Sequence, residues 1–379
     1  MREELYGTRL YINCKKLQSN IHYFKSILNK SKIIAMVKAN AYGFGDVLMA
    51  KKMEEFGVDY FGVADFDEGI RLRNNGIQSP IMVMNTSKSS LQTLVEFKLE
   101  PVIYSMDLLK SVIEKIDHNL FNNKNEPYPI HIKINTGMNR WGFDNNEVPA
   151  LIEKLQIYSN HLYIKSIYSH FPSAKNPVDN SFTLEQLDNF LKIYSVFQES
   201  FEYSINQHIH NSFGLINFPR TTSCFNYSRL GLALYGLLNH PHLFQIGELK
   251  CRISQVRDLQ INETVGYDRL FIAKKPMKIA TIPFGYADGL QRGWGNGKLK
   301  FYYKGCLLPT VGSISMDSCS IDVTPLFYTD EIIENSSLVN EEVIYFGKDR
   351  SIWTLSKELN TIPYEIVASL SRRIKRVYN

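Results

Sequence analysis

Cysteine is scarce in this 379-residue chain, and Cys14, Cys224, Cys251, Cys306 and Cys319 are odd in number and never spaced C-x-x-C. That scatter suggests neither a disulfide framework nor a thiolate zinc site, and a reducing compartment is the simpler reading. Long apolar runs are missing as well. No segment approaches the roughly 18 apolar residues of a membrane span, and Met1 to Lys16 lacks the apolar core of a signal peptide. A cytoplasmic protein with no membrane partner is expected. Nor is there an excess of one charge: 43 Lys and Arg face 38 Asp and Glu, for a net charge of +5. The one basic cluster, Arg372, Arg373, Lys375 and Arg376, reads as a solvated chain end, so no nucleic-acid partner is expected. With 44% hydrophobic and 21% charged residues, disorder, collagen-like repeats and coiled coil are excluded.

From Lys32 to about Gly247 one pattern recurs: a short β-branched apolar run, a polar or glycine-containing turn, then a stretch of helical spacing. Strands are predicted at Ile33 to Lys38, Tyr60 to Ala64, Ile81 to Met84, Pro101 to Tyr104, Ile130 to Ile134, Tyr163 to Ser169, Tyr203 to His208 and Tyr227 to Arg229. Helices are predicted between them, as at Val47 to Phe56, Leu108 to Ile116 and Leu184 to Phe197. About eight strands joined by helical crossovers predict an α/β fold with a (βα)8 TIM-like barrel. An open doubly wound sheet is the alternative, but no G-x-G-x-x-G follows the first strand. After Glu248 come β-rich runs at Leu249 to Leu259, Met277 to Pro283, Leu299 to Tyr303 and Val343 to Phe346. The chain is therefore divided into a barrel over residues 1–248 and a mainly β C-terminal domain over 249–379.

In a parallel barrel the active site lies at the carboxyl ends of the strands. The first predicted strand ends in Lys38, where partial desolvation lowers an amine's pKa and frees it for Schiff-base chemistry; by itself the position also suits a snorkelling lysine. The fifth runs into Asn135 to Arg140, placing an arginine where it could pair with a carboxylate. The sixth ends at Ser169-His170-Phe171 and the seventh at His208-Ile209-His210-Asn211-Ser212. His-x-His raises a metal site, yet the other strand ends offer Lys38, Arg140 and Arg229 rather than ligands, so no metal is expected. The loops after the last two strands carry Asn211-Ser212 and Arg229-Leu230-Gly231-Leu232, with a hydroxyl, a glycine and backbone amides suited to an anion. A reactive lysine facing a phosphate cradle describes pyridoxal phosphate rather than a nicotinamide.

Lys38-Ala39-Asn40-Ala41-Tyr42-Gly43 resembles the pyridoxal-phosphate attachment motif of alanine racemases. The resemblance continues through Lys133 to Phe143, Ser169 to Phe171, His208 to Ser212, Arg229 to Gly236, Val265 to Tyr267, Ile282 to Gly289 and Val311 to Asp317, in the family's order. It implies interconversion of L- and D-alanine, with D-alanine supplied to bacterial peptidoglycan. Lys38 would hold the cofactor as an aldimine and act as base toward the D-enantiomer, and Tyr267 would serve the opposite face. By the same resemblance Arg229, supported by His208, meets the pyridine nitrogen. Tyr42, Ser212, Gly231 and Leu232 hold the phosphate, His170 lies against the ring and Asn211 beside the cofactor. Arg140, Tyr286, Met316 and Asp317 define the substrate end, and the second-domain residues reach into a partner's barrel, implying a homodimer with shared sites. Lys133 matches a lysine that some members carbamylate and others do not. Phe44, Asn135, Ser313 and Ser318 depart from the family pattern, and Arg372 stands where some members place a phosphate-contacting tyrosine. A racemase of broader scope, acting on serine or basic amino acids, would share almost every motif. A non-catalytic pyridoxal-phosphate barrel would lack Tyr267 and the second domain.

Overall fold

Several barrel strands are apolar on both faces, as suits strands whose side chains fill the barrel on one side and meet helices on the other. Lys32–Met36 is buried at every position after the first, and Tyr60–Val63 is buried throughout. The computed structural model describes residues 7–28, 30–117, 127–175, 180–328 and 334–379. Within it eight strands form one sheet: Lys32–Met36, Tyr60–Val63, Ile81–Val83, Glu100–Ile103, Tyr128–Lys133, Leu162–Tyr168, Asn206–His208 and Tyr227–Leu230. Every pairing in it is parallel, and Lys32–Met36 pairs with both Tyr60–Val63 and Tyr227–Leu230. Between the seventh and eighth strands the ladder gives way to single bonds. Asn226 donates its N–H to the Gln207 carbonyl at 3.0 Å and Arg229 to that of His210 at 3.1 Å. The result is a nearly closed barrel, as the βα alternation predicts. Each strand lies within a few residues of its predicted place, with one consequential shift: the first ends at Met36, so Lys38 stands beyond the strand in the turn that follows.

The chain divides into two compact units, and their borders are not sequential. One comprises the barrel, residues 21–41 and 46–234; the other gathers residues 7–20, 42–45 and 235–379. The cause is strand pairing. Arg9–Ile12, which the sequence pattern did not reveal, pairs antiparallel with Gly247–Arg252 and parallel with Lys375–Tyr378. The chain's first described strand thus belongs to the β unit, although chain order groups it with the barrel.

Nine strands make up the main sheet of that unit, and apart from the Arg9–Ile12 and Lys375–Tyr378 pair its ladders are antiparallel. The run predicted at Leu249 to Leu259 breaks at Ile253 and Ser254 into two strands. Gly247–Arg252 pairs with Glu342–Phe346, and Gln255–Leu259 with Met277–Ile282. A small hairpin, Thr264–Val265 with Phe271–Ile272, packs Val265 and Phe271 onto Leu259, Met277, Ile279 and Val311. Its loop carries Tyr267. The basic chain end is not simply solvated, contrary to the sequence expectation. Arg376 is half-buried and donates to the carbonyls of Gly43, Leu370, Ser371 and Ile374, and Arg373 pairs with Asp317 at 2.8 Å.

Candidate active site

Directly after Lys38 the backbone turns left-handed. Ala39, Asn40, Ala41 and Tyr42 have φ of +52°, +55°, +51° and +54°, a conformation that costs an L-residue other than glycine roughly 1–2 kcal/mol. Specific bonds hold it. The Ala41 N–H reaches the Val37 carbonyl at 2.8 Å, and the Glu68 carboxylate accepts the N–H groups of Ala39 at 2.6 Å and Ala64 at 2.8 Å. Glu68 is a site residue that the sequence reading missed, because nothing in its helix marks it as the partner of a turn 29 residues away. Lys38 is half-buried. Burial lowers its pKa most, and the charges of Arg140 and Arg229 act in the same direction against Glu68.

The barrel brings the other predicted groups to the same strand ends. Arg229, buried in the eighth strand, donates from Nη1 to His208 Nδ1 at 2.5 Å and from Nη2 to the Ser169 carbonyl at 2.6 Å. Desolvation lowers its pKa to about 10, so it remains a cation at neutral pH. Burial and then the Arg229 charge hold His208 and His170 well below the ordinary histidine range, so both are neutral. Lys133, buried at the end of the fifth strand, has its pKa lowered to about 7 by burial, with Arg229 and Arg140 adding to the effect. Tyr168, another residue missed from sequence, organises this cluster. It stacks on His208 at a 2° interplanar angle, and Lys133 and Arg229 each lie 4.8 Å from its ring centroid. Arg140 is exposed and rests on Trp141, 5.2 Å from the ring centroid. Nearby Asn135 ties its loop together through Asn139, Asp144 and the Gly137 N–H.

After the seventh strand Asn211 caps the next helix, accepting the Gly214 N–H at 2.9 Å, and donates to the Phe171 carbonyl at 2.8 Å. Ser212 Oγ accepts N–H bonds from Gly231 and Ala233, both at 3.4 Å, which draws together the loops after the last two strands. Leu232 lies between those two amides in the chain. His-x-His is split by its surroundings: His208 is engaged on Arg229 and Ser166, and His210 Nε2 on Thr221 at 2.8 Å.

In the β unit, Tyr267 follows Gly266 (φ +78°) and is 68% exposed. Tyr286 and Met316 are brought together by backbone bonds: the Tyr286 N–H donates to the Ser315 carbonyl at 3.0 Å and the Ala287 N–H to that of Met316 at 2.9 Å. Gly285 is required there, since a Cβ would lie 2.3 Å from the Met316 oxygen. Asp317 is held by Arg373, while Arg372 is exposed. Tyr42 packs its ring against Tyr235, and the departure residue Phe44 is fully buried and stacks on the same ring.

These residues fit a cofactor with a phosphate and a basic ring. Lys38, Lys133, Arg140 and Arg229 interact electrostatically within one cluster, where the Glu68 carboxylate acts on Lys38 in the opposite direction. The bonds of Arg229 use its two terminal nitrogens, and its Nε–H has no acceptor among the described residues. Barrel, reactive lysine and amide-lined loops after the last two strands define a pyridoxal-phosphate enzyme of the barrel type.

The chain belongs to the alanine racemase family. It matches the family's "Alanine racemase, N-terminal domain" over residues 12–239 and its "Alanine racemase, C-terminal domain" over residues 246–378. The alanine racemase of Methanococcus maripaludis is 35% identical over 97% of this chain and 97% of its own length. Alanine racemase 1 of Caldanaerobacter subterraneus is 33% identical over 98% of this chain and 94% of its own. Among solved structures, the alanine racemase of Clostridium difficile 630 superposes with a TM-score of 0.86 at 29% identity, covering 99% of this chain and 96% of that one. That of Bartonella henselae, solved with covalently bound pyridoxal phosphate, gives 0.85 at 27% identity over 99% and 100%.

Proposed function

We propose that this protein is an alanine racemase that interconverts L- and D-alanine with pyridoxal phosphate as its resident cofactor. The observation that carries the reading is the amine of Lys38, with its lowered pKa, at the mouth of a barrel whose strand ends hold Arg229, neutral His170 and the Ser212 and Gly231 loops. Bound at Lys38, the cofactor supplies an electron sink that acidifies the substrate's α-hydrogen. Arg229 would face the ring nitrogen and, as a guanidinium that stays charged at neutral pH, would not hand over its proton. The Gly231 and Leu232 amides and the Ser212 hydroxyl would hold the phosphate, with His170 and Asn211 beside the ring.

Racemisation needs a proton acceptor on each face of the α-carbon. The neutral amine of Lys38 takes the proton from the D-enantiomer, and the Tyr267 phenol serves the other face. Arg140 orients the substrate carboxylate, and Tyr286, Met316 and Asp317 bound the substrate end. We assign this second set to a partner protomer, a reading supported by the exposure of Tyr267, Met316 and Tyr286 on the single chain, 68%, 53% and 42%. The reaction is assigned to the cytoplasm, where D-alanine feeds peptidoglycan synthesis.

Polarimetry tests the reading. Purified protein with pyridoxal phosphate is given L-alanine, L-serine or L-lysine. Optical activity is expected to decay to zero for alanine alone. Comparable decay for serine or lysine moves the assignment to a broader racemase, and no decay with cofactor bound overturns catalysis.

A further inference from the structure

Behind Arg229 the barrel core contains a continuous line of polar side chains, all of them in the barrel unit. Arg229 Nη1 lies 2.5 Å from His208 Nδ1, His208 Nε2 lies 2.9 Å from Ser166 Oγ, and Ser166 Oγ lies 2.7 Å from His131 Nδ1. His131 Nε2 then lies 2.8 Å from Glu100 Oε2, to which the Tyr60 hydroxyl also donates. His208 and Ser166 are 0% exposed, His131 1% and Glu100 9%. Glu100 ends the line at an open depression on the far face of the barrel, lined also by Arg73, Gln78 and Lys98.

The two ends fix the direction of every bond between them. A guanidinium has donors and no acceptor, so it donates and His208 Nδ1 must carry a lone pair. Neutral His208 therefore holds its proton on Nε2 and donates to Ser166. Having accepted that bond, the Ser166 hydroxyl donates to His131 Nδ1, and His131 donates from Nε2 to Glu100. At the far end a carboxylate can only accept. Burial disfavours its charge, but the hydrogen bonds that His131 and the Tyr60 hydroxyl donate to it help hold Glu100 below the usual carboxylate range. With His131 neutral, this arrangement leaves every atom of the line satisfied, and a buried unsatisfied group is costly.

We propose that Ser166, His131 and Glu100 are positioning residues for racemisation, anchoring the His208 ring whose Nδ1 accepts from Arg229 and supplying through the relay the remote negative charge that balances it. The inference rests on the reading of Arg229 as the residue that meets the cofactor ring. Its consequence is that the electronic character of the cofactor site is set partly from the opposite end of the barrel.

The test combines nitrogen NMR of 15N-histidine-labelled protein, with and without pyridoxal phosphate, with steady-state kinetics of the holoenzyme. In the wild-type protein His208 and His131 are both expected as the Nε2–H tautomer, each with a hydrogen-bonded Nδ1. Ser166→Ala is expected to keep the His208 tautomer, shift its Nε2 signal by removing the acceptor of that N–H, and lower kcat on the order of tenfold with KM nearly unchanged. Glu100→Gln, nearly isosteric, keeps an acceptor for His131 and removes only the charge. It is expected to preserve the tautomers and still lower kcat, separating charge from geometry. An Nδ1–H tautomer at His208 in the wild-type protein overturns the relay, as does a wild-type kcat in both variants. If the wild-type holoenzyme leaves alanine optically active, the activity reading fails, while the tautomers report on the relay independently.

Discussion

Lys133 illustrates how much a single buried amine can govern. Its pKa of about 7 leaves a large fraction neutral at physiological pH, and Arg229 and Arg140 supply positive charge around it. A neutral amine adds carbon dioxide, forming an N–C bond and losing a proton, and the resulting carbamate would place an anion between two cations. Intact mass measured at neutral pH in bicarbonate is expected to show the addition of one carbon dioxide, absent in Lys133→Met; an unmodified mass refutes it. In carbon dioxide-free buffer the folded pKa lies below the ordinary lysine value of 10.5, so the unfolded chain binds the extra proton between about pH 7 and 10.5. The contribution of Lys133 to stability must therefore rise with pH across that window, and urea midpoints should show a shallower rise in Lys133→Met. The proposed base roles separate by mutation too. Tyr267→Phe is expected to keep bound cofactor and lose racemisation by about 100-fold or more, while Lys38→Ala loses the covalently held cofactor; a fully active Tyr267→Phe protein refutes the two-base assignment. Lys38, Arg229 and Ser212 were legible in sequence because each stands beside a recognisable strand end. Glu68, Tyr168 and Ser166 were not, because each matters through a partner tens of residues away that only the closed barrel supplies.

At the scale of elements, the turn after Lys38 joins conformational cost to function. Four left-handed non-glycine residues run into Gly43, whose φ is +88° and whose Cβ, were there one, would lie 1.8 Å from the Val367 carbonyl oxygen. Arg376 reaches the Gly43 carbonyl from two nitrogens, at 3.1 and 2.9 Å. Gly43→Ala must therefore move the Val367 backbone as well as adopt a strained φ. Its cost is expected to be at least about 2 kcal/mol, read as a lower urea midpoint at unchanged slope. A midpoint within error of wild type would show that the turn relaxes freely. The barrel strands were readable to within a few residues because most carry a short apolar or β-branched stretch between turn signals. Arg9–Ile12 was missed because four residues of mixed polarity carry no period, and what makes them a strand is pairing with partners more than 200 residues away. The break at Ile253 and Ser254 was likewise invisible, since polar and apolar residues are mixed in the strands on both sides of it and no turn residue such as glycine or proline marks it.

At the scale of the whole molecule, the proposed assignment of bases to different protomers makes a quantitative claim. Suppose Lys38 of one chain works with Tyr267 of the other. A dimer built from one Lys38→Ala chain and one Tyr267→Phe chain then holds one site with both groups missing and one with both intact. Each variant alone forms dimers in which every site lacks one group. Mixing the two after reversible dissociation gives half heterodimers at statistical equilibrium, each with one good site of two. Activity should therefore recover to about one quarter of wild type, from near zero for either parent. If both bases came from the same chain, no mixture would recover activity, because each chain would carry its own defect into every site. The exposure of Tyr267, Met316 and Tyr286 on the single chain gives the same proposal a second handle. Their burial on association should make the recovered activity depend on protein concentration, falling as dilution separates the protomers.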